Sequence, residues 1–171
     1  MTCLFELSIA LLITLLNGFF VMAEYSLVRI RKSRLDELIR QGKSRANTVL
    51  KMSEKLDTYL SATQLGITAS SLLLGWFGGP LLAEMFRGMF GVSAGTWYDH
   101  SLVFACAFLI IVFLHVVFGE LVPRTIALGK VEQVAMAVAY PLVFFHYLLY
   151  PLVVLFNRIS HAVLCLLGVD P

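Results

Sequence analysis

Charge is what this chain has least of: Asp, Glu, Lys and Arg make up 14% of its 171 residues, where soluble domains carry about 25%. With 59% hydrophobic residues and a mean hydropathy of +0.85, that shortage excludes an ordinary soluble fold. Cysteine is scarce too. Cys3, Cys106 and Cys165 show no C-x-x-C spacing, which argues against a zinc site or a disulfide framework, and their apolar surroundings read as small buried positions. No Walker loop, G-x-G-x-x-G, H-E-x-x-H or G-x-S-x-G occurs, so nothing points to an enzyme. The N-terminus has no basic stretch and carries Glu6 instead. The first apolar run is therefore expected to be a retained span that starts outside, not a cleaved signal.

What is present is a series of long apolar runs. Residues 4–28, 59–82 and 101–122 are each long enough to cross about 30 Å of hydrocarbon as helix. The expected fold is an all-α integral membrane domain over 1–171, with three transmembrane helices and amphipathic or re-entrant helices on the cytoplasmic side. Gly78-Gly79-Pro80 is expected to break the second span near its outer end. The outer connection, 81–100, reads as a short apolar stripe and a Ser93-Ala94-Gly95-Thr96 turn, with Trp97 and Tyr98 at headgroup level.

Basic residues concentrate in one connection. Arg29, Arg31, Lys32, Arg34, Arg40, Lys43, Arg45, Lys51 and Lys55 face only Asp36, Glu37 and Glu54, which places 29–55 in the cytoplasm by the positive-inside rule. Leu35, Leu38 and Ile39, then Ala46, Val49 and Leu50 beyond Gly42, recur at helical spacing. The segment 31–55 thus reads as amphipathic helix at the inner membrane surface or under the bundle. Flanked by spans and without a reading motif, it is not expected to bind nucleic acid. Residues 131–167 are again apolar, but Pro141 and Pro151 interrupt them. Hydropathy alone gives a single span from Val131 to Phe156; because an internal proline costs a helix about 3 kcal/mol, two shorter helices that enter and return on the cytoplasmic face are expected instead, which puts the C-terminus inside.

The functional signal lies in Gly119-Glu120-Leu121-Val122-Pro123-Arg124, which closes the third run. A charge at the centre of a spanning helix costs about 2.5–3.5 kcal/mol on insertion scales, so one that is present faces a partner or a wet cavity. Pro123 has no N–H for the carbonyl of Gly119, and Gly119 lets another backbone approach. Glu120 is accordingly the leading ligand for a cation, with freed carbonyls beside it; the competing reading has Glu120 at the helix end, in water. In the first span Asn17 and Glu24, seven apart, share a face. Asn17 suits an interhelical hydrogen bond, and Glu24 suits either an ion pair with Arg29 or Arg31 or a place at the site. In the second, Gln64, Thr68, Ser71 and Gly75 form a small polar stripe, which serves either close helix approach or oxygen ligation. His115, five residues before Glu120, lies about 140° away on an α-helix. It is expected to hydrogen-bond a neighbouring helix and to share no face with Glu120 unless the helix bends.

Three ordered motifs carry a resemblance: Asn17-Gly-Phe-Phe-Val-Met-Ala-Glu-Tyr-Ser-Leu-Val28, Leu60-Ser-Ala-Thr-Gln-Leu-Gly-Ile-Thr68 and Gly119-Glu-Leu-Val-Pro-Arg-Thr-Ile-Ala-Leu128. Over essentially the whole chain they resemble the membrane domain of the cyclin-M/CorC (CorC/HlyC, hemolysin-like) family. The resemblance implies three spans, a cytoplasmic belt of short helices, a homodimer in the bilayer, and CBS-pair and CorC-type domains following the membrane part. It also implies Mg²⁺ export coupled to Na⁺ entry, the ion held by polar groups of all three spans around Glu120. This chain departs from the pattern: Val21 and Ala23 stand where many members have serines, and Ile67-Thr68 where many have Asn-Asn. The remaining donors are Glu120, Thr68, Ser71, Gln64 and the backbone at Gly119, with Asn17 and Glu24 as shaping groups. Fewer ligands open the site to another divalent ion or to an organic polycation such as a polyamine. A membrane anchor or sensor for cytosolic regulatory domains is the further alternative.

Overall fold

The computed structural model describes residues 2–90 and 97–168, with side chains described for 7–78, 105, 106 and 108–168. Among them every regular element is helical. The order is α1 (Thr2–Arg29), α2 (Lys32–Arg40), α3 (Ser44–Glu54), α4 (Leu56–Phe90), α5 (Trp97–Leu114), a π-helical segment (His115–Leu121), α6 (Val122–Gly129) and α7 (Val131–Leu166). Among the described residues three stretches are long and apolar enough to cross a membrane: Leu7–Arg29, Phe108–Gly129 and Val131–Leu166. Phe108, Leu109, Phe113, Phe144 and Leu148 are exposed, a surface that belongs against lipid chains.

The chain divides into two compact units, residues 1–21 with 67–125, and 22–66 with 126–171. In the first, α1, α4 and α5 meet through Ile13, Leu74 and Ile111, with Ile9 and Ala10 against them. Close approach there depends on glycine: a Cβ on Gly78 would lie 3.0 Å from Ile111 Cδ1, and one on Gly18 only 2.9 Å from Pro123 Cγ. In the second unit, α2 and α3 pack on each other through the stripe the sequence shows, with Leu35, Leu38, Ala46, Val49 and Met52 all buried. The chain reverses between them at Gly42, whose φ of 80° favours a residue without a Cβ. α3 packs on α7. Arg34 Nε donates to Glu132 Oε1 at 2.6 Å, and the same guanidinium pairs with Glu37.

Four expectations are corrected. Residues 131–167 do not form two returning helices; α7 is continuous through Pro141 and Pro151. Its buried residues Ala135, Val138, Ala139, Leu142, His146 and Val153 keep one phase across both prolines. Pro141 and Pro151 are exposed, as are Ala137 and Tyr147, whose carbonyls lose the N–H partner. The loss thus falls on the outer face while packing on the inner face holds the helix together. Nor does Gly78-Gly79-Pro80 break α4, which runs on to Phe90, as a helix in lipid does because only helical bonding satisfies the flanking backbone. The third helical stretch does not end at Val122 but continues through α6 to Gly129, with Pro123 accommodated by the π-helical segment His115–Leu121 that precedes it. Cys106 and Cys165 are exposed, not buried, a position that lipid-facing apolar surface allows. The side chain of Cys3, the Ser93-Ala94-Gly95-Thr96 turn and the side chains of Trp97 and Tyr98 lie outside the described residues.

Candidate functional site

The site grows out of the missing N–H of Pro123. In an α-helix the N–H of residue 123 would bond the carbonyl of Gly119. With none available, that carbonyl accepts the Asn17 amide instead, Nδ2 to O at 2.8 Å, from α1. The helix answers the same gap by widening into the π-helical segment His115–Leu121, the kind of local i→i+5 turn that recurs at functional sites. The proline ring meanwhile packs against Gly18, one residue from Asn17. Asn17 and Gly119 are both buried.

The π turn also changes which side chains are neighbours. One i→i+5 turn narrows the angle between the ends of a five-residue step, here His115 and Glu120. The 140° separation expected of an α-helix does not apply here. His115 reaches α4, where its Nε2 lies 3.1 Å from Ser71 Oγ. Ser71 Oγ in turn donates to the carbonyl of Ile67 at 2.9 Å. Among the described residues three buried side-chain polar atoms have no hydrogen-bond partner, His146 Nδ1 on α7 and, at this cluster, Asn17 Oδ1 and His115 Nδ1. Both groups flank Gly119, because a Cβ built there would stand 3.0 Å from His115 Nδ1 and 3.2 Å from Asn17 Nδ2.

Of the residues singled out from the sequence, Asn17, Ser71, Gly119 and Glu120 thus gather in one unit around His115. Glu120 is exposed at the surface of that unit, beside the buried cluster and not inside it. The Gly119 carbonyl is occupied by Asn17. Thr68 is exposed on α4; Glu24, half-buried on α1, and Gln64, exposed on α4, belong to the other unit. Sequence reasoning did not place His115 at the site. The signal for it was a histidine one wide turn ahead of a glycine, a carboxylate and a proline that together disfavour regular α geometry. Among the described residues no group of three or more His, Cys, Asp or Glu gathers. A cation here would be held by a mixed set of imidazole nitrogen, amide oxygen and carboxylate.

An apolar cavity of about 240 Å³ adjoins the cluster, with Leu11, Leu74, Ile111 and Phe118 in its walls and Thr14 and His115 as its polar lining.

Comparison with known proteins gives a consistent result. The family model described as the cyclin M transmembrane N-terminal domain matches residues 7–171. The UPF0053 protein YhdT of Bacillus subtilis (strain 168) is 40% identical over 91% of this chain and 34% of its own length. The UPF0053 protein YrkA of the same organism is 37% identical over 97% of this chain and 38% of its own. The uncharacterized protein Rv1841c of Mycobacterium tuberculosis (H37Rv) is 39% identical over 95% of this chain and 46% of its own. The chain thus spans between about a third and a half of the length of these relatives.

Proposed function

This chain belongs to the cyclin M transmembrane N-terminal domain family, and on that footing we propose that it carries divalent cations through the membrane, with Mg²⁺ exported as the cargo and Na⁺ entry driving it. The observation that supports the reading is a pair of buried polar atoms without hydrogen-bond partners, Asn17 Oδ1 and His115 Nδ1, in the two side chains that flank Gly119, the residue before Glu120. A buried polar atom costs about 1–3 kcal/mol when it is left unsatisfied. Two of them around the residue before a carboxylate ask for a ligand, and Glu120 for a positive one. Mg²⁺ takes six ligands at about 2.0–2.1 Å and gives up its waters reluctantly; Asn17 and Glu120 supply oxygens, and retained water supplies the rest. Ser71 orients the imidazole. The domain works as a homodimer in the bilayer with its N-terminus outside and the basic connection 29–55 cytoplasmic, and CBS-pair domains follow it in the full-length protein.

Glu120→Gln tests this directly. In proteoliposomes the variant is expected to lose Mg²⁺ flux at least tenfold while still assembling in the membrane, and the purified protein to lose its thermal stabilisation by Mg²⁺. Flux at the unsubstituted rate would end the assignment.

A second reading keeps the site and changes the cargo to an organic polyamine. The adjoining apolar cavity favours it, because about 240 Å³ of space walled by Leu11, Leu74 and Phe118 suits a methylene chain whose ammonium group meets the carboxylate. Competition of spermidine or cadaverine against Mg²⁺ for the purified protein separates the two. Displacement at equal site number supports the amine.

A further inference from the structure

We propose that the cleft between the α2–α3 turn and α7 seats the phosphate of an acidic glycerophospholipid, whose acyl chains lie along the exposed apolar face of α7. This lipid site goes beyond the cation-carrying reading and does not depend on which cargo the domain moves.

The cleft has a volume of about 460 Å³, with residues 42–45 in one wall and Gln133 and Ala137 in the other. Both walls belong to the same compact unit. The chain reverses at Gly42 and α3 begins at Ser44, which sets Lys43 and Arg45 at one edge of the cleft. Both side chains are exposed, and among the described residues neither forms an ion pair with a carboxylate. Glu132, the neighbour of Gln133 in the chain, has both of its oxygens on Arg34, at 2.6 and 3.3 Å. Two cations without a protein counterion, with the Ser44 hydroxyl and the Gln133 amide as neutral donors in the same walls, complement a phosphate.

The surface beyond the cleft is what selects a lipid over a free anion. Gln133, Ala137, Tyr140, Phe144 and Leu148 recur at helical spacing on α7, and all are exposed. They lie opposite the stripe of Ala135, Val138, Ala139 and Leu142, which is buried. A polar cleft thus passes into an apolar strip along one helix face, in the order of a phospholipid's headgroup and chains. Arg45 joins the two parts: its guanidinium carbon lies 5.7 Å from the centre of the Tyr140 ring, a cation–π contact that keeps the charge at the boundary between them. Basic pockets beside membrane helices hold anionic headgroups in this way, and tyrosine settles at the same level. A free phosphate would fill the cleft and leave the strip unused.

The test is binding to the purified full chain in mild detergent, read by native mass spectrometry and by the thermal midpoint, with phosphatidylglycerol, phosphatidylcholine and inorganic phosphate as probes. Phosphatidylglycerol is expected to bind at least tenfold more tightly than phosphatidylcholine and to raise the midpoint, while inorganic phosphate at the same concentration does not raise it. Lys43→Gln combined with Arg45→Gln is expected to narrow the preference between the two lipids at least fivefold; both side chains are exposed, so the variant keeps its fold. Phe144→Ala is expected to weaken both lipids and to leave their ratio unchanged. Lys32→Gln removes an exposed cation outside the cleft and is expected to leave binding as it was. A loss with Lys32→Gln equal to that of the cleft variant would mean general attraction to acidic surfaces and would overturn the site. So would equal binding of the two lipids, a preference unmoved by the double substitution, or equal stabilisation by inorganic phosphate. If phosphatidylglycerol does not bind at all, the face belongs to a protein partner and the lipid assignment is wrong.

Discussion

At the scale of single residues, two glycines decide what the site can hold. A methyl group on Gly119 would come 3.0 Å from His115 Nδ1 and 3.2 Å from Asn17 Nδ2, and so would press on both side chains. Gly119→Ala is therefore expected to reduce the thermal stabilisation by Mg²⁺, by pushing the imidazole and the amide aside. Gly18→Ala acts on stability instead. Its Cβ would fall 2.9 Å from Pro123 Cγ, and a proline ring has no rotamer to retreat into. Overpacking of this kind costs about 1–3 kcal/mol, read as a lower thermal midpoint in detergent. The partner type of Asn17 was legible in the sequence, since an amide in a span seeks a hydrogen bond on another helix. The partner itself was not, because it depends on the carbonyl that Pro123 leaves free. The hydrogen bond of His115 to a neighbouring helix was legible too, but its place beside Gly119 was not, because an α-helical projection puts it on the wrong side and the extra residue of the π turn appears in no periodicity.

At the scale of elements, the lesson comes from α7. Weighing Pro141 and Pro151 one at a time led to two short helices, yet the buried stripe from Ala135 to Val153 shows that packing along the whole length outweighs two outer-face defects. Pro141→Ala restores an N–H for the exposed carbonyl of Ala137. It is expected to raise stability by up to about 3 kcal/mol, seen as a higher melting temperature; a lower one would mean that the kink is required. The paired helices α2 and α3 were legible almost entirely, because Leu35, Leu38, Ala46 and Val49 fall on one apolar face and all are buried. Leu38, 1% exposed, anchors that pair. Leu38→Ala is expected to cost about 2–5 kcal/mol, with the loss read by thermal unfolding. The ion pair of Arg34 with Glu132 is half-exposed at both ends and carries much less of the stability, since solvent screens it.

At the scale of the molecule, hydropathy identified a membrane domain but could not assign contiguity: α1, α4 and the stretch through α6 each divide between two compact units. Orientation is open to experiment. With Cys3, Cys106 and Cys165 replaced by serine, a cysteine introduced at Lys43, exposed between α2 and α3, is expected to react with a membrane-impermeant maleimide in inverted vesicles and not in intact cells. Labelling of intact cells would reverse the assignment of the basic connection to the cytoplasm. The π-helical segment His115–Leu121 bears on every variant beyond it. The chain is out of step across that segment, so one helical wheel cannot be drawn from α5 into α6. A one-residue deletion between Val116 and Phe118 would bring the two into step, turning Pro123 by about 100° about the axis and drawing its ring off Gly18.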